Sequence, residues 1–323
     1  MSRTPDPPSQ AAAPLLAAVM RAARAGALRL HTPVHRGQVD PEYGAALGDA
    51  LALDLTELAE TDDLRAPEGA IAEAQTLAAS HFGAARTWFL VGGASAGIAA
   101  SLLAAAPGGR VAIARNAHVS AVSGLILADA APVWIPVPWD GDWDVAGCAG
   151  PAAVAAALAG APDVAAVFVT APTYFGDPAD LVAIRAVCGD RLLVVDEAHG
   201  AHVPRALAAG ADLVIHSAHK GLTGPTQGGY LHLGPGSRIP AEGVAAALRL
   251  VQSTSPSYWL LAGLDAARRE AALRRAGGDA AERIARAAAA AGLALRSPAD
   301  PTRLLVRVPD GSAAYDALAG AGV

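Results

Sequence analysis

Short, continuously apolar runs alternate with helix-like segments between residues 87 and 219, and this alternation constrains the fold more than any other feature. The runs, in chain order, are TWFLVGG, RVAIAR, APVWIPV, VAAVFVT, RLLVVDEA and ADLVIHSAH. Strands that are apolar along their whole length are typical of a parallel sheet covered on both faces. We therefore predict an α/β protein with a mostly parallel sheet sandwiched by helices, and ligands bound outside the carboxyl ends of the strands.

The segments on either side of this region have other patterns. A helix is predicted from about Leu15 to Arg29, and residues 31–44 are predicted to form a loop. Another helix is predicted with residues 67–68 in its first turn and Gly83 past its end. The run ADLVIHSAH is expected to be the last strand of the sheet. Helices then dominate, and only TRLLVRV is predicted to be a further strand.

Composition and charge exclude several classes of protein. The formal net charge is −6, so no basic surface for nucleic acid is expected. Cys148 and Cys188 are far apart and lack neighbouring metal-ligand motifs, so we expect two thiols in a reducing compartment and no metal site. Arginines at 21, 24 and 29 interrupt the apolar N-terminal segment, which favours an amphipathic helix over a signal peptide or a membrane span. We therefore expect a cytoplasmic protein.

One position stands out from the basic residues of the chain. Of the 24 Lys and Arg residues, only Lys220 is a lysine. An amine can lose its proton and act as a nucleophile, whereas a guanidinium cannot. Because arginine serves everywhere else, a chemical role for Lys220 is more plausible than a surface charge.

Asp196 ends an apolar strand, where a carboxylate is costly unless a cation meets it. The alternative interpretation is the N-cap of a following helix. The helicase motif that DEAH resembles is excluded, because the chain has no G-x-x-x-x-G-K-[ST] loop. A strand-end lysine and a strand-end aspartate suit pyridoxal phosphate: the lysine forms a Schiff base with the aldehyde, and the aspartate pairs with the pyridinium nitrogen.

Two further segments suit a cofactor that carries a phosphate. VGGASAG, with Gly93, Ala94 and Ser95 at its centre, follows a strand and opens a helix, so its N–H groups and the helix dipole can bind an anion. RNAHVS brings His118 after another strand, where the imidazole can stack on a pyridine ring. Each signal is weak alone, since Gly-rich turns and single histidines are often structural.

The motifs taken together resemble the Orn/Lys/Arg decarboxylase major-domain family, whose members have the aspartate-aminotransferase (type I) fold of pyridoxal-phosphate-dependent enzymes. The matching stretches follow the family's order over roughly residues 15–270. They are HTPVHRG, DLTELAETDDLRAPEGAIAEAQTLAASHFGA, FLVGGASAG, RNAHVS, TAPTYFG, DEAHGAH, SAHKGLTGPTQGGYLH and STSPSYWLLAGLDAAR.

The resemblance implies roles for particular residues. Lys220 would carry the cofactor aldimine, Asp196 would hold the ring nitrogen, and His118 and Ala198 would pack on the two ring faces. The remaining expected cofactor contacts are Gly93, Ala94, Ser95, His199, Ser217 and His219, with His219 also a catalytic candidate beside Lys220. Thr254 and Ser255 would reach the phosphate of a neighbouring subunit, since the family's site lies at a dimer interface, and residues 31–37 would line the substrate entrance.

The implied reaction is decarboxylation of arginine, lysine or ornithine through a quinonoid, giving an amine of polyamine biosynthesis. Two alternatives stay open: another type I enzyme, such as an aminotransferase or lyase, and a pyridoxal-phosphate-binding relative with a regulatory or partner role. The sequence departs from the family at Val34, Arg36, Ala94 and Val119, and a shorter C-terminal region than usual is expected. The residue that binds the distal substrate group is not identified from sequence.

The resemblance also suggests a division of the chain, with a homodimer or higher homo-oligomer as the assembly. The expected parts are a disordered N-terminus (1–14), an N-terminal helix and active-site arm (15–66), a cofactor-binding large domain (67–245), and a linking helix with a small, partial C-terminal α/β domain (246–323).

Overall fold

The computed structural model describes residues 9–25, 28–273, 279–300 and 302–322. The strands in chain order are β1 (Arg86–Leu90), β2 (Arg110–Ala114), β3 (Ala131–Ile135), β4 (Trp139–Asp140), β5 (Val145–Ala146), β6 (Ala166–Thr170), β7 (Leu192–Asp196), β8 (Leu213–Ser217), β9 (Gly229–Leu233), β10 (Ala294–Arg296) and β11 (Leu305–Arg307).

The helices alternate with these strands, and a short 3-10 helix spans Gly48–Leu53. The α-helices in chain order are α1 (Pro14–Arg24), α2 (Pro41–Leu47), α3 (Ala70–Phe82), α4 (Gly93–Ala105), α5 (Val119–Leu127), α6 (Pro151–Gly160), α7 (Leu181–Cys188), α8 (Ala218–Gly221), α9 (Ala241–Val251), α10 (Tyr258–Leu273), α11 (Asp279–Ala290) and α12 (Gly311–Gly320).

The main sheet has seven strands in the order β1-β9-β8-β7-β6-β2-β3. Strands β8, β7, β6, β2 and β3 are parallel to one another. Strand β9 is antiparallel to both of its neighbours, β1 and β8. The mostly parallel sheet is therefore confirmed. The expectation that β8 would be the last strand is wrong, because β9 follows it and separates it from β1.

Strand β9 is fully buried, but its sequence does not have the pattern of a buried strand. GYLHL begins with glycine, a residue that is depleted in strands, so the apolar run that remains is only a few residues long. Gly229 is required by the packing, because a Cβ there would lie 2.8 Å from the carbonyl oxygen of His216 on β8. His232 is tolerated in the core because its ring is hydrogen-bonded to buried side chains on both sides.

Helices cover both faces of the sheet. One core cluster joins the sheet to α1, α3, α6, α7 and α10, and a second joins it to α4, α5 and α9. Successive residues of β7 face opposite layers: Leu193 and Val195 belong to the first cluster and Val194 to the second. This burial on both faces explains why the strands are apolar throughout.

The N-terminal helix is shorter than predicted. It ends at Arg24 rather than Arg29. The guanidinium of Arg29 instead donates to the carbonyl oxygens of Ala23 and Ala52, at 3.3 Å each. Arg29 therefore contacts the end of the helix from outside it.

Two helix starts also differ from the predictions. The predicted loop over 31–44 gives way to α2 at Pro41, where the Asp40 side chain accepts from two N–H groups of the first turn. Helix α3 begins at Ala70, after the predicted first turn at residues 67–68. The carboxylate of Asp62 accepts from several N–H groups at that end, including Gly69 N at 2.8 Å, so a distant residue provides the cap.

Residues 9–13 belong to the segment that was expected to be disordered, yet a buried ion pair holds them in place. Arg268 and Asp265 on α10 are both fully buried and lie 2.6 Å apart. Arg268 also donates to the carbonyl oxygens of Gln10 and Ala12, and Asp265 accepts from Leu15 N at 3.0 Å. That expectation is wrong for residues 9–13, because α10 supplies their hydrogen-bond partners. Residues 1–8 lie outside the described part of the chain.

Replacing Arg268 with methionine is expected to lower the free energy of unfolding by about 3–5 kcal/mol, because Asp265 would stay buried without its cation. Urea denaturation measures the change. Arg269→Met, at the neighbouring and less buried position of the same helix, is the matched control and should cost about 1 kcal/mol or less. Equal losses in the two variants would contradict the proposed role of the pair.

The C-terminal part contains one more strand than expected. The predicted strand TRLLVRV contains β11, and β10 pairs with it antiparallel, with Leu295 opposite Val306. Three residues were too few for a strand to be recognised from the sequence. The predicted boundary after residue 245 falls inside α9, which is a continuous helix. The division into domains otherwise stays a prediction.

Candidate active site

A cavity of about 690 Å³ lies beyond the carboxyl ends of the parallel strands. Its lining comes from the segments that follow β1, β2, β6, β7 and β8 and from the loop before β9. The lining residues are Gly92, Gly93, Ala94, Ser95, Ile98, Asn116, His118, Ala146, Thr170, Thr173, Tyr174, Phe175, Asp196, Ala198, His199, Ser217, His219, Lys220, Thr226 and Gln227.

The sheet itself brings these segments together. Thr170 and Asp196 are the last residues of neighbouring parallel strands and are register partners, and Ser217 ends the next strand along. Parallel strands present their carboxyl ends at one edge, so the residues that follow them converge there. The structure thus gathers ten of the expected contacts around one cavity. They are Gly93, Ala94, Ser95, His118, Asp196, Ala198, His199, Ser217, His219 and Lys220.

Asp196 is buried, with 3 % of its surface exposed. Turns rather than a helix follow it, so the N-cap interpretation is wrong. Burial raises the pKa of its carboxyl, and the hydrogen bond from Ala198 N and the positive charges of Lys220 and His118 oppose that shift. Asp196 is the one carboxylate among the described residues that line the cavity, and within them no cation pairs with it directly. The site therefore holds a buried acceptor for a cationic group of a ligand.

Lys220 lies in the short helix α8 and is exposed to the cavity. Its Nζ lies 3.2 Å from Nε2 of His199. Burial and, in the same direction, the charges of Lys220 and Arg303 together lower the pKa of His199 to about 4. His199 is therefore neutral at pH 7, and an amine and a neutral imidazole face each other at the mouth of the site.

The N-terminus of α4 forms an anion cradle. Gly93 begins the helix with a φ of +69°, a conformation that favours glycine, and no side chain caps the first turn. The first N–H groups of a helix lack partners within it and carry the positive end of the helix dipole. Gly229 of β9 lets the backbone approach closely here, since a Cβ on it would lie 3.3 Å from Ala94 N.

These features fit pyridoxal phosphate at its separate functional groups. The open helix end suits the phosphate, the buried Asp196 suits a protonated ring nitrogen, and the Lys220 amine suits the aldehyde. Two buried oxygen atoms of the lining, Thr170 Oγ1 and Asn116 Oδ1, have no hydrogen-bond partner within the described structure. Buried polar atoms usually have partners, so these two atoms also favour a polar ligand.

The other predicted cavity residues have local hydrogen bonds of their own. His118 is the N-cap of α5, and its Nδ1 accepts from Ser120 N at 3.2 Å. Ser217 Oγ lies 3.2 Å from Nδ1 of His219. Both imidazoles are therefore held by neighbouring residues while they line the cavity.

Thr254 and Ser255 do not line this cavity. Thr254 borders a separate groove beside Arg65 and Arg86, and Ser255 N donates to Ser253 Oγ. Their contact with a neighbouring subunit stays a prediction. Residues 31–37, expected at the substrate entrance, are not part of the cavity lining in the described structure.

Sequence reasoning assigned no role to several residues of the lining. Thr226 and Gln227 were missed because the loop that carries them precedes β9, which was itself missed. Tyr174 and Phe175 lay within the quoted TAPTYFG motif but had no assigned function. Asn116 sits two residues before His118, and its position just after a parallel strand was the available signal.

A chain of buried hydrogen bonds begins at Glu197, the residue that follows Asp196. Glu197 Oε2 is 2.8 Å from His216 Nε2, His216 Nδ1 is 3.0 Å from His232 Nε2, and His232 Nδ1 is 2.8 Å from Thr87 Oγ1. All four side chains are buried, and together they connect the residue that follows β7 with β8, β9 and β1. This chain ties the strand that carries Asp196 to the edge of the sheet.

The buried histidines predict how stability depends on pH. Burial lowers the pKa of His232 well below its usual range, so the folded state resists a proton that the unfolded state accepts. The free energy of unfolding should thus fall below about pH 6.5, by up to about 1.4 kcal/mol per pH unit for one such histidine. The free energy of unfolding is measured by urea denaturation between pH 5 and 6.5, relative to its value at pH 8. Its slope against pH should be shallower by that amount in His232→Gln than in the wild type. Equal slopes in the two proteins would contradict the prediction that His232 causes this pH dependence.

The described ranges bear on two properties, membrane spans and metal sites. None of their helices combines the length and apolar character needed to cross a membrane. Nor do they hold a cluster of three or more His, Cys, Asp or Glu side chains suited to a metal ion.

Comparison with known proteins places the chain in a family. The profile of the family described as Orn/Lys/Arg decarboxylase, major domain, matches residues 13–297. The uncharacterized protein YaaO of Bacillus subtilis is 39 % identical over 267 residues, covering 79 % of this chain and 56 % of the relative. An arginine decarboxylase of the same organism is 35 % identical over 277 residues, covering 82 % and 56 %. The chain thus spans about half the length of these relatives.

The fold comparison agrees with the sequence comparison. The solved structure of lysine decarboxylase A from Pseudomonas aeruginosa matches with a TM-score of 0.70 and 25 % identity, covering 80 % of this chain and 40 % of that one. The type I fold is confirmed, and family and fold indicate pyridoxal phosphate as the cofactor. The sheet, the cavity at its carboxyl edge and the matched motifs all lead to one conclusion: the chain belongs to the Orn/Lys/Arg decarboxylase major-domain family.

Proposed function

We propose that this protein decarboxylates a basic amino acid, arginine, lysine or ornithine, with Lys220 as the residue that binds the cofactor covalently. The observation that carries the proposal is the presence in one cavity of the chain's only lysine and of a buried carboxylate that pairs directly with no cation among the described residues. The substrate class is supported by relatives named arginine decarboxylase, which are 35–36 % identical to this chain.

When bound, pyridoxal phosphate supplies an electron sink for the pair of electrons that the departing CO₂ leaves behind. Each residue then has a distinct task. The N-terminus of α4 would hold the phosphate, with Ser95 beside it, and Asp196 would keep the proton on the ring nitrogen. His118 and Ala198 would contact the ring.

The remaining steps of the proposal are proton transfers. Lys220, whose Nζ would bind the aldehyde of the cofactor, would also be the group that returns a proton to Cα. His219, next to Lys220 in α8, is the second proton donor of the set. Tyr174 and Phe175 contribute apolar surface that reduces the access of water to the reacting carbon. The product would be agmatine, cadaverine or putrescine, the amines of polyamine biosynthesis.

The assembly and location are parts of the same proposal. Thr254 and Ser255 lie outside the cavity of their own chain, which suits a homodimer in which they reach the neighbouring phosphate. Cys148 and Cys188 are free thiols, which suits a reducing cytoplasm.

The test is CO₂ release from arginine, lysine and ornithine by the full chain loaded with pyridoxal phosphate. Glutamate serves as the control substrate, because its side chain has the opposite charge. We expect release from at least one basic amino acid and none above background from glutamate. A loaded dimer that releases no CO₂ from any of the three would overturn the proposal and favour another type I reaction or a regulatory role.

A further inference from the structure

Arg303 lies outside the cavity, but its side chain contacts two of the segments that line it. Its Nη1 donates to the carbonyl oxygen of Tyr174, and its Nη2 donates to the carbonyl oxygen of His199 at 3.2 Å. Nη2 also lies 3.3 Å from Nδ1 of the His199 ring. One guanidinium therefore joins the segments that follow β6 and β7.

The orientation of Arg303 is itself fixed. Its Nε donates to Oδ2 of Asp300 at 3.0 Å, and Asp300 is 3 % exposed. Burial raises the pKa of Asp300, but hydrogen bonds from His202 and Thr302 outweigh that effect and hold the pKa at about 2. Asp300 is thus ionised, and this buried carboxylate orients the guanidinium of Arg303 toward His199.

The hydrogen bonds determine which nitrogen of His199 carries the proton. Arginine has donors only and is never deprotonated in proteins, so its 3.3 Å contact with the ring is a hydrogen bond only when Nδ1 of His199 accepts. A neutral imidazole then carries its proton on Nε2, the atom that faces Lys220 Nζ at 3.2 Å. With the donor on that side, the hydrogen bond requires the lone pair of the Lys220 amine as the acceptor.

We propose that Arg303 is a positioning residue that fixes the Nε2–H tautomer of His199, so that the imidazole donates to the Lys220 amine. The free amine is the form that attacks an aldehyde, whereas an ammonium has no lone pair to use. The value of this arrangement for catalysis rests on the function proposed above, but the tautomer does not.

The tautomer is measured directly by long-range ¹H–¹⁵N correlation spectra of the cofactor-free full chain labelled on its nine histidines. His199→Phe identifies the His199 signals by their loss. We expect an unprotonated Nδ1 and a protonated Nε2 for His199 in the wild type, and a shift toward the other tautomer in Arg303→Met. Arg307→Met is the matched control, because Arg307 stacks on Trp143 and should leave the signals unchanged. A proton on Nδ1 in the wild type, or no change in Arg303→Met, would overturn the inference.

The effect on Lys220 is measured by its rate of acylation with an N-hydroxysuccinimide ester at pH 7. Because Lys220 is the only lysine, mass spectrometry of one peptide reports the rate. We expect Arg303→Met to slow it by about fivefold, the factor that one net hydrogen bond provides. In a protein that already carries His199→Phe, Arg303→Met should not change the acylation rate further. An equal slowing in that protein would overturn the inference that Arg303 acts on Lys220 through His199. Neither readout depends on turnover, so a failure of the proposed decarboxylation is distinguishable from a failure of this inference.

Discussion

Replacing Lys220 with alanine is expected to reduce CO₂ release by about 10⁴-fold or more, the upper end of what a positioned acid–base group contributes. The expectation is this large because one atom, Nζ, provides both the covalent attachment and a proton. The loss is measured as kcat for the best of the three basic amino acids, with the protein saturated in pyridoxal phosphate.

Lys220→Arg is the sharper variant. It keeps a positive charge at the same position but cannot act as a nucleophile, so we expect the same loss as with alanine. Lys220 is exposed, and neither change should alter the free energy of unfolding of the cofactor-free protein by more than about 0.5 kcal/mol. An arginine variant that retains substantial activity would mean that the position requires only charge.

Replacing Asp196 with asparagine is expected to reduce kcat on the order of 10²–10³-fold, as for other preorganised electrostatic contacts. Asparagine cannot hold a proton on the ring nitrogen, so the electron sink is weakened. The same change should stabilise the cofactor-free fold at pH 7 by about 1 kcal/mol, because it removes a buried charge that forms no ion pair within the described residues.

The direction of the stability effect follows from the pKa of Asp196. Burial raises that pKa, so the favourable contribution of the protonated form is present at low pH and is lost as the pH rises through the folded-state value. Urea denaturation of the cofactor-free protein checks this. Asp212 is the matched control, because it is equally buried but pairs with Arg185 at 2.9 Å, and Asp212→Asn should destabilise the fold. Unfolding of the cofactor-free Asp196→Asn protein would instead show that Asp196 has a structural role.

The fold was predictable where one physical requirement dominated the sequence. Strands buried on both faces must be apolar throughout, so β6, β7 and β8 were evident as runs. Strand β9 was missed because it begins with a glycine, which its close packing against β8 requires. That requirement is not visible without the neighbouring strand.

The candidate site followed the same logic. Lys220 was evident because the rest of the chain uses arginine, and Asp196 because a carboxylate ends an apolar strand. Arg303 was not, because a sequence with so many arginines gives no sign that one of them contacts His199. That contact depends on the folding of the C-terminal segment against the loop that follows β7, which the local pattern does not encode.

Borohydride reduction of the wild-type chain loaded with pyridoxal phosphate, followed by peptide mass spectrometry, tests the central claim most directly. Reduction fixes the cofactor on the amine that holds it, and the chain offers only Lys220 and its α-amino group. The account predicts one pyridoxyl group on the peptide that contains Lys220, in proportion to the bound cofactor. Stoichiometric cofactor with no label on Lys220, or with the label on the α-amino group alone, would contradict it.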